Sequence, residues 1–275
     1  HDTVLTMGSG LTMVDVALLL DAHGFEGRIL ALSRRGLAPR AHLGAAMASS
    51  KLEAAPAATC AALARHVRGR ATEVGWHAAV DELRPFTQTL WRDADIVQRR
   101  RFLRHLRPWW DVHRHRIAPQ VEERIAAMRA RGQLEVAAGK LVEIAPEGDG
   151  ARVTWRPRGK DAAHTLQVRR IVNCTGPQGD LRATDEPLLK TLLARGTIRP
   201  DPLRIGIDVD ARSQVVDRDG SAQDWLLALG PITRGALWEI VAVPDIRQQT
   251  WAVARRLSET LTPRAARRAS GQLLA

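Results

Sequence analysis

Thr3-Val4-Leu5-Thr6-Met7-Gly8-Ser9-Gly10-Leu11-Thr12-Met13-Val14-Asp15 opens on an apolar run, breaks at two glycines and resumes with apolar residues at helical spacing. Thr3 to Met7 reads as a short buried strand, Gly8-Ser9-Gly10 as a tight turn, and Leu11 to His23 as a helix stopped by Gly24. After Gly27, Arg28-Ile29-Leu30-Ala31-Leu32 reads as a second strand, and strand, helix, strand in this order make a right-handed parallel crossover. A glycine turn between strand and helix offers a pyrophosphate both backbone N–H groups and the positive end of a helix. The third glycine of the GxGxxG pattern is replaced by Met13, so the reading rests on where the turn sits. The expected phosphate contacts are Gly8, Ser9, Gly10, Leu11 and Thr12.

The end of the second strand selects between dinucleotides. An acidic side chain there would bind the ribose 2′-hydroxyl of NAD, whereas arginine accommodates the 2′-phosphate of NADP. The residues are Ser33-Arg34-Arg35-Gly36. A guanidinium fork suits phosphate and a serine can add a hydrogen bond, so Ser33, Arg34 and Arg35 favour NADPH over NADH. The competing reading is of two solvated arginines in an arginine-rich chain.

From about 41 to 131 the pattern is helical, with apolar residues at helical spacing in Pro56–Val67, Trp76–Trp91, Asp95–Leu106 and Pro119–Arg131, and with Pro85 and Pro108 as punctuation. Short alternating runs follow at Leu134–Val136, Leu141–Ile144, Val153–Arg156 and Leu166–Val168, which predict a small antiparallel meander. Ile171–Cys174 reads as another buried strand closed by Thr175-Gly176-Pro177. Beyond it, Ile205–Val209 and Trp225–Leu229 read as strands, a helix is expected from about Gly235 to Leu257, and the Ala/Arg-rich tail after Pro263 is expected to fray.

Bulk composition narrows the field. The 275 residues are 45% hydrophobic, enough for one large or two modest cores. No apolar run reaches the length of a membrane span. His1-Asp2 leads straight into the first strand without an initiator methionine or a basic leader, which implies a chain cut from something longer. Cys60 and Cys174 stand far apart with no CxxC spacing, which argues against a disulfide framework, a zinc site or a dithiol centre and favours the cytoplasm. A net charge of +11 invites nucleic acid, yet only four of 41 basic residues are lysines, the bias a GC-rich genome imposes on any enzyme.

Five stretches together resemble one family. They are Met7–Asp15, Leu32–Gly36, Arg107-Pro108-Trp109-Trp110-Asp111-Val112-His113-Arg114-His115-Arg116, Asn173-Cys174-Thr175-Gly176-Pro177, and Ala228-Leu229-Gly230-Pro231-Ile232-Thr233-Arg234-Gly235-Ala236-Leu237-Trp238-Glu239. In this order they are similar to the bacterial FAD/NAD(P)-binding family, which includes FAD-dependent urate hydroxylase-like proteins and is distantly similar to flavin monooxygenases. The resemblance implies an α/β Rossmann-type flavoprotein fold with two dinucleotide-binding domains, a helical insertion and a small meander, truncated at its N-terminus. Residues 1–178 would form the NAD(P)H domain, with the insertion at about 41–131, and 179–275 the C-terminal part of the FAD domain. The FAD domain's own glycine turn would lie upstream of residue 1, leaving FAD the contacts at Gly176, Pro177, Gly230, Pro231, Arg234 and Gly235. Gly230-Pro231 stands where the family often carries Gly-Asp, and a helix starting near Gly235 would aim its positive end at the flavin.

The implied activity is hydride transfer from NADPH to FAD, followed by reaction of reduced flavin with oxygen or another acceptor. No catalytic residue is identifiable, and the substrate would be a small molecule with no specific nucleic acid or membrane partner. The rivals are a flavin reductase or dehydrogenase without oxygenation, and a nucleotide- or nucleic-acid-binding module without turnover. Two other constellations are weaker. His105, His113 and His115 with Asp111 lack ligand spacing, because His-x-His on a helix diverges. Arg99, Arg100, Arg101, Arg104 and Arg107 beside Trp109 and Trp110 could stack on single-stranded nucleic acid, but fit a solvated face or cofactor phosphates better.

Overall fold

A computed structural model describes residues 2–43 and 51–261. Residues 44–50 of the expected helical segment, and the tail after Pro263, lie outside the described residues. The chain divides into two units, residues 1–84 with 101–177 and residues 85–100 with 178–275. Residues 85–100, part of the segment that reads as a helical insertion, cluster with residues 178–275.

The first unit is built on a six-stranded sheet of order β5-β4-β3-β2-β1-β6. Strands β1 (Thr3–Met7), β2 (Arg28–Ser33), the start of β3 (Leu134–Glu147) and β6 (Arg170–Asn173) run parallel, with β1 between β2 and β6. Helix α1 (Leu11–Ala22) joins β1 to β2. Parallel strands covered on both faces read as continuous apolar runs, as Val4-Leu5-Thr6 and Ile29-Leu30-Ala31-Leu32 do. Alternation still assigns the faces. Ile29 and Ala31 pack with Met13, Val14 and Ala17 of α1 and with Ile125 and Met128, whereas Leu5, Leu30 and Leu32 pack with Val153 and Val168.

Those two valines come from the meander, β4 (Gly150–Pro157) and β5 (His164–Val168), which is antiparallel as predicted. One feature differs from the sequence reading. Leu134–Val136 and Leu141–Ile144 are parts of a single strand of 14 residues, which pairs in parallel with β2 at its start and antiparallel with β4 further on. The register shifts between Leu141 and Glu143, and a bulge of this kind bends a strand and increases its twist.

The helical insertion comprises α2 (Cys60–Asp81, kinked at Gly75), α3 (Thr87–Asp93), α4 (Ile96–Arg101), a π turn (Phe102–Leu106), α5 (Arg107–Arg114) and α6 (Pro119–Ala130). Thr59 caps α2 by accepting the N–H of Ala62. Arg116, with its side chain almost wholly buried, grips Asp81 at the end of α2 through paired bonds of 2.9 and 3.0 Å.

The second unit has its own core of Leu181, Ile198, Ile207, Val209, Val215 and Ala228. It carries α7 (Pro187–Arg195), a hairpin of β7 (Gln214–Val216) with β8 (Ala222–Leu227), and α8 (Val243–Leu261). Two expectations are corrected here. Ile205–Val209 is no strand and makes only the isolated bridges Pro200–Ile207 and Val209–Val215. The buried Asp201 carboxylate accepts the N–H groups of Leu203 and Ile205 at 2.8 and 2.7 Å, so a side chain takes the place of a ladder partner. The last helix begins at Val243, not near Gly235, because Pro244 suits a first turn and the apolar residues before it are buried in turns.

Leu5 lies in β1, an interior strand of the sheet, and is fully buried, whereas Leu188 on α7 is 69% exposed. Leu5→Ala is expected to cost the first unit about 2–5 kcal/mol in chemical denaturation, and Leu188→Ala less than about 0.5 kcal/mol.

Candidate functional site

The glycine turn leaves the C-terminal end of β1 between the ends of its two neighbours. Gly8 donates its N–H to Leu32 O at 2.8 Å, and Cys174 donates to Met7 O at 2.8 Å. Gly8 has φ +111°, and a Cβ placed there would lie 2.4 Å from the Cys174 carbonyl oxygen. No side chain fits, so Gly8 is a packing requirement. Gly10 differs in kind. Its backbone is extended (φ −86°, ψ −160°), and a Cβ built on it meets nothing within 4 Å.

Gly10 is the N-cap of α1 and is exposed together with Leu11 and Thr12. Its carbonyl accepts the N–H groups of Met13 and Val14 at 3.1 and 3.2 Å. The N–H groups of Leu11 and Thr12 precede the first helical acceptor, as at any helix start. No side chain caps this end and no acidic residue stands in its first turn, so the positive end of α1 is open.

A hydroxyl pair joins this turn to the loop after β2. Ser9 Oγ lies 2.8 Å from Ser33 Oγ and donates to Leu37 O at 2.5 Å, while Ser33 Oγ accepts the Gly36 N–H at 3.0 Å. Ser33 Oγ acts as an acceptor in its bonds with Ser9 and Gly36. Arg34 is exposed, and no side chain among the described residues pairs with it. Arg35 is half-buried and donates from Nη2 to Arg104 O at 2.9 Å. No carboxylate pairs with either arginine among the described residues.

The exit of β6 borders the same turn. Asn173 Oδ1 accepts the Thr175 N–H at 3.1 Å and the Thr175 hydroxyl at 2.7 Å, and Gly176 (φ +85°) and Pro177 are exposed. Cys174 is buried, which pushes its thiol pKa up and keeps it protonated. Gly8, Ser9, Gly10, Leu11, Thr12, Ser33, Arg34, Arg35, Gly176 and Pro177 all belong to the first unit.

Gly230, Pro231, Arg234 and Gly235 belong to the second. Gly230 is buried at φ +77° and donates its N–H to Gln249 Oε1 at 2.8 Å. Gln249 is itself buried and bridges to Ser213 and Thr233. Gly235 is buried, gives its carbonyl to Trp91 Nε1 at 2.9 Å, and has no room for a Cβ, which would lie 2.3 Å from Asp201 Cγ. Arg234 lies 4.3 Å over the Trp238 ring, which stacks on Trp91, and Pro231 is exposed. These groups are largely committed to the packing of their own unit. Gln249 lies nineteen residues from Gly230 and carries no motif, so nothing in the sequence signals the bond.

The remaining constellations separate. Arg99 bonds to the carbonyls of Arg92 and Ala94 and lies over Trp91, Arg100 bonds to Pro202 O, and Arg107 pairs with Asp111. His113 Nδ1 is 2.7 Å from Trp109 O, and no group of three or more His, Cys, Asp or Glu side chains converges among the described residues. No helix among the described residues is long and apolar enough to cross a membrane.

No protein-family profile and no curated protein matches this chain. Solved structures do. The chain is similar to ornithine hydroxylase from Pseudomonas aeruginosa (12% identity, TM-score 0.58), covering 95% of this chain and 54% of that one. It is similar to L-lysine 6-monooxygenase from Pseudomonas syringae (17%, TM-score 0.57; 95% and 54%). A third is ornithine N-hydroxylase from Kutzneria sp. 744, solved with reduced FAD, NADP⁺ and L-ornithine (14%, TM-score 0.51; 95% and 55%). The fold is the Rossmann-type flavoprotein fold. The chain spans about half the length of these proteins.

The two glycines separate stability from binding. Gly8→Ala is expected to destabilise the first unit by about 2–5 kcal/mol, through a strained φ and a clash with backbone. Gly10→Ala is expected to leave the unfolding midpoint within about 0.5 kcal/mol while weakening dinucleotide binding at least about tenfold. Denaturation and titration calorimetry on both variants check the split.

Proposed function

We propose that this chain is the NADPH-binding part, together with a C-terminal part of the FAD domain, of a FAD-dependent oxidoreductase that acts as a monooxygenase on a small molecule. One observation carries the reading: among the described residues no side chain caps the helix start behind the Cβ-free Gly10, and none pairs with the Arg34 cation at the end of the adjoining strand. The donor set fits a dinucleotide. The Leu11 and Thr12 N–H groups would bind the pyrophosphate, and Gly10 would admit it close to the backbone. Ser9 and Ser33 would hold the β2 loop, and Arg34 and Arg35 would take the 2′-phosphate. Gly176 and Pro177, exposed after β6, would contribute to the FAD side of the site.

The fit to FAD on these residues is partial. Gly230 and Gly235 are occupied within their own unit, which leaves the exposed Pro231 and the half-buried Arg234 as the FAD contacts of the second unit. The family resemblance assigns the FAD pyrophosphate cradle to a stretch outside these 275 residues. FAD, when bound, supplies the hydride acceptor and the reactivity toward oxygen, and the protein orients the nicotinamide against it. The five motifs that resemble the urate hydroxylase-like branch support that finer placement, and two free cysteines support a cytoplasmic setting.

Thermal shift on the chain as given tests this directly. NADPH at about 100 times its dissociation constant is expected to stabilise by about 2.7 kcal/mol, and FAD to stabilise little. Changing both Arg34 and Arg35 to alanine is expected to raise the NADPH dissociation constant between about tenfold and a hundredfold and to spare NADH. A yellow preparation with stoichiometric FAD would show that the glycine turn serves the other cofactor. Salt-resistant, sequence-selective nucleic-acid binding without dinucleotide binding would overturn the enzyme reading.

A further inference from the structure

Residues 96–114 are helical but do not form one α-helix. Between α4 and α5 the backbone opens into the π turn, where the Arg107 N–H reaches back five residues to Phe102 O. In an α-helix the carbonyl of Arg104 would accept the N–H of residue 108. Residue 108 is proline, which has no N–H and whose ring crowds the carbonyl four residues back. Pro108 therefore leaves the Arg104 carbonyl without its α-helical donor. A side chain from the β2 loop supplies one instead, the Arg35 guanidinium at 2.9 Å.

This contact has a chemical consequence. A carbonyl orients a guanidinium without neutralising it, whereas a carboxylate would do both. Arg35 keeps further N–H donors and its full charge, held at the strand end where dinucleotide folds read the ribose. Ordering a long side chain costs entropy, and a side chain already ordered before the ligand arrives binds it more tightly. The anchor is built by the insertion, and the charge it holds serves the strand.

We propose that Pro108 is a positioning residue for NADPH selectivity: by freeing the Arg104 carbonyl it fixes Arg35 for the 2′-phosphate. The inference rests on the reading of the glycine turn as an NADPH site. Pro108→Ala restores the N–H, and a turn that closes as α-helix on the Arg104 carbonyl is expected to turn it inward and displace Arg35 from it.

The test measures dissociation constants for NADPH and NADH on the wild type, Pro108→Ala, Arg35→Ala and the double variant. Pro108→Ala is expected to weaken NADPH about three- to tenfold with NADH unchanged, and Arg35→Ala to weaken it more. In the Arg35→Ala background, Pro108→Ala is expected to have no further effect. Pro108→Ser supplies the same N–H with a different side chain and is expected to match Pro108→Ala. Equal weakening of both dinucleotides, additive effects in the double variant, or failure of both Pro108 variants to fold would overturn the proposal. A wild type that binds both dinucleotides without preference overturns the positioning role and leaves the dinucleotide site standing. A wild type that binds neither overturns the site itself.

Discussion

The glycine turn is pinned from both sides by backbone. Gly8 bonds to the end of β2, Met7 bonds to the residue after β6, and the missing Gly8 side chain leaves room for the Cys174 carbonyl. Three strand ends are thereby locked around a single tight turn, and the direction in which α1 departs is set by that lock. Helix α1 then packs Met13, Val14 and Ala17 onto β2, which leaves its first turn exposed at the C-terminal edge of the sheet. Parallel sheets bind ligands at this edge because the helix starts gather there. The exposed helix start thus follows from the packing that makes the fold.

The hydroxyl network and the arginines build outward from that lock. Ser9 is the middle residue of the turn, and its bonds to Ser33 and Leu37 carry the turn's position into the β2 loop. The loop presents Arg34, which no side chain among the described residues pairs with, and Arg35, held by the Arg104 carbonyl. Arg70, Arg107, Arg116, Arg124 and Arg131, in contrast, pair with carboxylates.

Local signals made the strand-turn-helix legible, because Gly8, Gly10 and the apolar runs around them act over a few residues. The meander was legible for the same reason, through alternation. What escaped depended on distant partners. The length of β3 was hidden because Ala137-Ala138-Gly139-Lys140 looks like a break until β2 and β4 are there to pair with it. Ile205–Val209 has a strand's composition, but its N–H groups go to scattered partners: Ile205 to the Asp201 carboxylate, Ile207 to Ile232 O and Asp208 to Arg199 O. The residues after Gly235 have a helix's composition, but Trp238 and Ile240 are buried in turns before Pro244 permits the helix to start. Around the turn, the glycines and arginines stand out in the sequence, whereas the bonds of Ser33 do not, since they come from the Ser9 hydroxyl and the Gly36 N–H. Pro108 was visible as punctuation; that it frees a carbonyl for Arg35 required the fold.

Amide chemical shifts followed by NMR during an NADPH titration measure the central claim most directly, namely that the open start of α1 holds the pyrophosphate. The account predicts the largest changes at Gly10, Leu11 and Thr12, with accompanying changes at Arg34 and Arg35. Changes concentrated at Gly230 to Gly235, with the start of α1 unmoved, would contradict it.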